Sequence, residues 1–159
     1  MAARRRRVRE AGIEAFPAER FTIDASVFVN AFNPHEDGHD GSLAFLATIH
    51  RQSDPVIVPS LLLVEVASAV ARATNDPEGA LAYSESIAAL PYVSVIALTS
   101  ALARQAASLA AQHRLRGADA VYVAVARRYG TTIASRDREQ RTRAAAVVLC
   151  RTPETAFRK

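Results

Sequence analysis

The chain has 159 residues, half of them hydrophobic, with one cysteine and a formal net charge of +4. That length suits one domain with its own core, and a single cysteine excludes an internal disulfide or a four-cysteine zinc site. No apolar run reaches the ~18 residues a membrane span needs, and the cysteine usage suits a reducing cytoplasm.

The charge is uneven. Residues 1–10 set five arginines against Glu10, a net +4, while the other 149 residues balance 15 basic with 15 acidic groups. Residues 1–20 therefore read as a basic extension, either touching nucleic acid or simply solvated. Ala11 to Arg20 carries Glu14 and Glu19 and makes no signal-peptide core.

Phe21 to Asp24 reads as a short buried strand, followed by helix to about Phe32. Asn33 to Asp40 is turn-rich, and Leu43 to Arg51 has helical spacing. Val56 to Val58 is a second strand, with Pro59 placed to open the helix that runs from Ser60 to Ala73. Asn75-Asp76-Pro77 breaks that helix, and Pro77 to Leu90 forms the next. Tyr92 to Ile96 is a third strand. Thr99 to Arg114 and Ala118 to Tyr129 are helices, the second capped by Gly130. Thr131 to Ala134 is a fourth strand, Arg138 to Arg143 a short helix and Ala146 to Leu149 a fifth strand, with an irregular tail at 151–159. Short, β-branched strands alternating with helices predict a parallel sheet covered on both faces.

Four carboxylates stand in apolar surroundings. Asp24 ends the first strand, and Glu65 lies within Leu61-Leu62-Leu63-Val64-Glu65-Val66. Asp119 opens a helix with almost no polar face, and Asp137 follows the fourth strand. An ionised carboxylate among apolar side chains must be paired, protonated or metal-bound. In a parallel sheet, ligands bind beyond the carboxyl ends of the strands, where all four acids are expected. Two such charges ~5 Å apart repel by roughly 3 kcal/mol at an effective dielectric of 20, so a cluster demands a cation. Oxygen ligands favour Mg²⁺ or Mn²⁺ over zinc, and such a site suits phosphodiester hydrolysis. Ser26 and Ser135 are placed to steady Asp24 and Asp137, or are turn serines. Arg114, Arg116, Arg136 and Arg138 are placed to hold substrate phosphates, or are helix-end charges.

The ordered set Asp24-Ala25-Ser26, Glu65 after Pro59-Ser60, Ala118-Asp119-Ala120 and Ser135-Arg136-Asp137 resembles the PIN-domain ribonucleases. Within them it is most similar to the VapC-type toxins of toxin–antitoxin pairs. The resemblance covers residues 21–150, taken as a PIN-like nuclease domain. It implies a three-layer α/β/α sandwich with a five-stranded, mainly parallel sheet. It also implies Mg²⁺ (or Mn²⁺) at Asp24, Glu65, Asp119 and Asp137, and endonucleolytic cutting of RNA. A small antitoxin partner and a homodimer are implied as well. Ser135 stands where Thr is commoner, and the Arg-rich extension departs from the compact start of the family.

Three readings compete. The fold could persist as a catalytically silent RNA- or protein-binding module, although all four acids are present. Flap-cutting enzymes acting on DNA share the acidic logic, but the chain is short for added duplex-binding elements. His35-Glu36-Asp37-Gly38-His39 matches the zinc metalloprotease motif H-E-x-x-H. That chemistry needs both histidines one turn apart on a stable helix, which Pro34 and Gly38 oppose.

Overall fold

The computed structural model describes residues 19–157, so all but Glu19 and Arg20 of the basic extension lie outside the described residues. In chain order the elements are β1 (Phe21–Ile23), α1 (Ala25–Phe32), α2 (His39–Gln52), β2 (Val56–Pro59), α3 (Leu61–Thr74) and α4 (Pro77–Ala88). There follow β3 (Val93–Ile96), α5 (Ser100–His113), α6 (Gly117–Tyr129), β4 (Thr132–Ala134), α7 (Arg138–Ala144), β5 (Cys150–Arg151) and a 3-10 turn at Pro153–Thr155. The strands form one all-parallel sheet in the order β3-β2-β1-β4-β5.

The strand residues alternate between two cores, as the two-residue period of a strand requires. Phe21, Ile23, Val56 and Val58 pack with Phe28, Phe45, Leu62 and Val66 from α1, α2 and α3. Ile133 packs on the other face with Leu102, Leu109, Val123 and Val125 from α5 and α6. This is the expected three-layer arrangement. Gly130 ends α6 at φ +62°, a left-handed conformation that glycine adopts without a Cβ clash.

Three expectations are corrected at element ends. Pro59 is the last residue of β2 rather than the first of a helix. Its lost N–H does no harm there, since the ladder to β3 is closed by the N–H of Ser60 on the carbonyl of Ile96 at 2.8 Å. The turn-rich loop ends earlier than its composition suggests, because α2 begins at His39. The fifth strand is Cys150–Arg151, not Ala146–Leu149. The N–H groups of Val147 and Val148 both bond the carbonyl of Ala144, so those apolar residues close α7 before the chain reaches the sheet. The packed body also continues beyond residue 150, with the ring of Phe157 edge-on to Phe21 at 5.4 Å.

Candidate active site

The sheet changes direction at its centre. From β1 the chain moves outward through β2 and β3, then returns to place β4 on the other side of β1. The crevice at the carboxyl ends of β1 and β4 is therefore the natural ligand position. Asp24 follows β1 there, and its N–H bonds the carbonyl of Ala134 at the end of β4, 2.9 Å away. The Asp24 carboxylate caps α1 by accepting the N–H of Ser26 at 2.9 Å. Its second oxygen accepts the side-chain amide of Gln140 at 3.1 Å. Asp137 caps α7, accepting the N–H of Gln140 at 3.0 Å. Ser135 Oγ accepts the N–H of Asp137 at 3.0 Å, and Ser26 Oγ accepts the N–H of Arg136 at 3.1 Å. Gln140 is fully buried and so ties the two aspartates together, through its backbone to one and its side chain to the other.

Glu65 and Asp119 arrive from α3 and α6. Leu62 and Val66 fix α3 in the core, which turns the face bearing Glu65 toward the crevice. The Tyr122 hydroxyl donates to Glu65 at 2.6 Å. Burial drives the Tyr122 pKa far above its ordinary value, reinforced by Asp24 and Glu65, so it remains a neutral donor. Asp119 accepts from Arg116 Nε at 2.9 Å, and the same guanidinium pairs with Asp137.

All four acids line one cleft of about 530 Å³, together with Ser26, Ser68, Arg72 and Arg116. Their electrostatics differ. Burial raises the Glu65 pKa; the Tyr122 hydroxyl offsets part of this, and the charges of Asp24 and Asp119 push it higher. Burial likewise raises Asp119, where Arg116 pulls downward and Asp24 and Asp137 push upward. At Asp137 burial also acts upward, but the N–H of Gln140 and the Arg116 guanidinium outweigh it and hold the pKa below its ordinary value. Asp137 is thus the firmest anion of these three, while Glu65 and Asp119 hold a proton most readily.

The PIN domain family model matches residues 21–146, most of the chain and every site acid. This chain belongs to the PIN domain family. Solved structures with the same fold include Mycobacterium tuberculosis VapC20, described as a sarcin–ricin loop-cleaving toxin. It has a TM-score of 0.67 and 20% identity over 82% of this chain and 97% of that one. Rickettsia felis VapBC2, solved bound to a DNA fragment from its promoter, gives 0.63 and 13% over 84% and 98%. FitAcB from Neisseria gonorrhoeae gives 0.60 and 20% over 84% and 97%. No curated protein sequence matches the chain.

Within this PIN domain the donor chemistry fits a hard dication: four carboxylates, all oxygen, mutually repelling. The gathering is looser than the compact pocket expected from sequence. Among the described residues, no three acidic, histidine or cysteine side chains stand close enough to hold one ion as they are set. Each acid already has a partner: Gln140 at Asp24, Tyr122 at Glu65, and Arg116 shared by Asp119 and Asp137. The guanidinium marks where positive charge is accepted.

Of the other expected residues, Ser26 and Arg116 line the cleft, and Ser135 supports Asp137 from a fully buried position. Three arginines do not line it. Arg114 ends α5 in a left-handed conformation, and its carbonyl accepts from Arg143. Arg136 turns back to Ser42 and Glu154, reaching Glu154 at 2.7 Å. Arg138 lies exposed on the first turn of α7. The protease motif fails on geometry. His35 is exposed in a turn while His39 opens α2 and bonds the carbonyl of Asn30, so they share no helix face. Glu36 is engaged with Asn30 and Asn33.

Sequence reasoning missed Gln140, Tyr122 and Arg72. Signals existed. Tyr122 lies three residues after Asp119 and Arg72 seven after Glu65, both spacings that share a helix face. Gln140 is the third helical residue after the Asp137 cap, where a capping-box side chain is expected. Its side chain instead crosses to Asp24.

Proposed function

We propose that this chain is a divalent-metal-dependent endoribonuclease, the toxin of a toxin–antitoxin module. The observation that carries the reading is the convergence of Asp24, Glu65, Asp119 and Asp137 on one cleft at the carboxyl ends of β1 and β4. Membership of the PIN domain family supports it, as does the fold shared with a sarcin–ricin loop-cleaving toxin. These four residues would hold Mg²⁺ or Mn²⁺. When bound, the ion would supply charge neutralisation toward a phosphodiester and make a coordinated water more acidic than bulk water.

The chain's own side chains do the rest. Gln140 and the Ser26 N–H fix both oxygens of Asp24, so its orientation is set before substrate arrives. Tyr122 holds Glu65, and the crowding that adds to burial in raising the Glu65 and Asp119 pKa values in the metal-free protein is the repulsion a bound dication would relieve. Arg72 and Arg116 are the cations of the cleft wall, placed for the RNA backbone. A small antitoxin protein, a homodimer and a cytoplasmic setting complete the reading. It is tested by incubating purified protein with RNA, with and without Mg²⁺ or Mn²⁺. Cleavage should need the ion and fall to background in Asp119→Asn, with an unchanged circular dichroism spectrum. Cleavage in EDTA at the same rate would refute the metal-dependent nuclease.

A further inference from the structure

Among the described residues Arg116 is the only basic side chain paired with the site carboxylates, and it is paired with two of them. The two anions are more enclosed than the cation. The Asp119 and Asp137 side chains are 13% and 30% exposed, against 55% for Arg116. The guanidinium therefore leans into the cleft from its rim. Its backbone stands at the N-cap of α6 in extended conformation, and its side chain makes no cap bond, so the helix start does not depend on it. The preceding Leu115 is buried and anchors the backbone, leaving the side chain free to pivot.

A guanidinium is a broad, singly charged donor that cannot ligate a metal. While it sits on Asp119 Oδ2 and Asp137 Oδ2, its positive charge stands where a dication sharing those oxygens would have to approach, and the two cations repel. A compact dication offers the same oxygens twice the charge, and an exposed ion pair is worth little in water, so the exchange is feasible.

We propose that Arg116 is a built-in competitor for the divalent ion, seated between Asp119 and Asp137 in the metal-free protein and displaced toward the cleft mouth when the ion binds. The inference rests on the metal-dependent reading above. It makes the metal-free protein self-neutralised and sets a threshold of ion concentration for loading. It also delivers a freed guanidinium beside the substrate at the moment the site is filled.

The experiment compares full-length wild type, Arg116→Gln and Arg72→Gln by calorimetric titration with Mn²⁺ and by thermal unfolding. Arg72 lines the same cleft but bonds Ser68 rather than an acid, so it reports the general field of a nearby positive charge. Arg116→Gln should tighten Mn²⁺ binding about tenfold, and Arg72→Gln by less than about twofold. Arg116→Gln should also melt lower than wild type without metal and level with it at saturating Mn²⁺. Unchanged or weaker Mn²⁺ affinity in Arg116→Gln, an equal gain in both variants, or an equal melting deficit with and without Mn²⁺ would each overturn the proposal. The two readings fail separately. Mn²⁺ binding by wild type with no tightening in Arg116→Gln removes the competitor alone. No Mn²⁺ binding by any variant and no cleavage of RNA removes the nuclease as well.

Discussion

Two aspartates are buried at opposite ends of the same sheet. Asp24 follows β1 and is 8% exposed; Asp54 precedes β2 and is 6% exposed. By burial alone they are equivalent, yet their surroundings differ. Asp24 opens α1, where unpaired N–H groups and the positive end of the helix dipole favour an anion, and both its oxygens are bonded. Asp54 follows the end of α2, the negative end, and its Oδ2 has no partner. Burial accordingly pushes the Asp54 pKa up. In a parallel sheet every strand leaves toward helix starts at its carboxyl end and is entered from helix ends at the other. A buried acid is therefore supported at one edge and merely tolerated at the opposite one.

The sharpest way to break this comparison is to neutralise both aspartates. Asp24→Asn should lower metal-dependent RNA cleavage by on the order of 100-fold or more, while Asp54→Asn should leave it within about twofold. Asn still caps a helix well, so the Asp24 variant keeps its fold. Equal losses in the two variants would erase the functional distinction between the edges.

A smaller effect is expected at the support of Asp24. Gln140→Ala removes a fully buried donor and should lower unfolding free energy by about 1–3 kcal/mol in urea titrations. It should also weaken divalent-ion binding by about tenfold. A variant as stable as wild type with unchanged ion affinity would show that Asp24 is oriented without it.

The smallest effects are in stability against pH, and their sign follows from the raised pKa values. A carboxyl that binds its proton more tightly when folded loses stability as pH rises through its folded pKa, and the penalty is absent in acid. Asp54→Asn should thus stabilise the protein by about 1 kcal/mol at pH 7. That gain should disappear below the ordinary aspartate value of 3.8. Glu65→Gln should raise the metal-free melting temperature by about 2 °C at pH 7, since glutamine still accepts from Tyr122. That gain should vanish below the ordinary value of 4.5. A lower melting temperature for Glu65→Gln at pH 7 would mean that the ionised carboxylate stabilises the fold.

Much of this was legible along the chain, because it depends on neighbours in sequence. The apolar runs at β1, β2 and β4, the break at Asn75-Asp76-Pro77 and the cap at Gly130 are local choices of backbone and burial. An acid within an apolar run is a local anomaly, which is why Asp24, Glu65, Asp119 and Asp137 stood out. The fifth strand misled because Ala146 to Leu149 is as apolar as a strand, while hydrogen bonds to Ala144 draw its middle into a turn.

The sequence by itself determined the alternation of strands and helices and the four acids that do not belong in apolar company, since both follow from periodicity and the energy of burying charge. Only the tertiary structure decided what each acid meets. Tyr122 lies 57 residues from Glu65 and Gln140 lies 116 from Asp24. Arg116 bridges Asp119 to an aspartate 21 residues from itself, while Arg136, beside that same aspartate in sequence, turns away to Glu154. Partnership across such separations is set by how strands order and helices pack, and no periodicity in the chain encodes which cation of several will face the cleft.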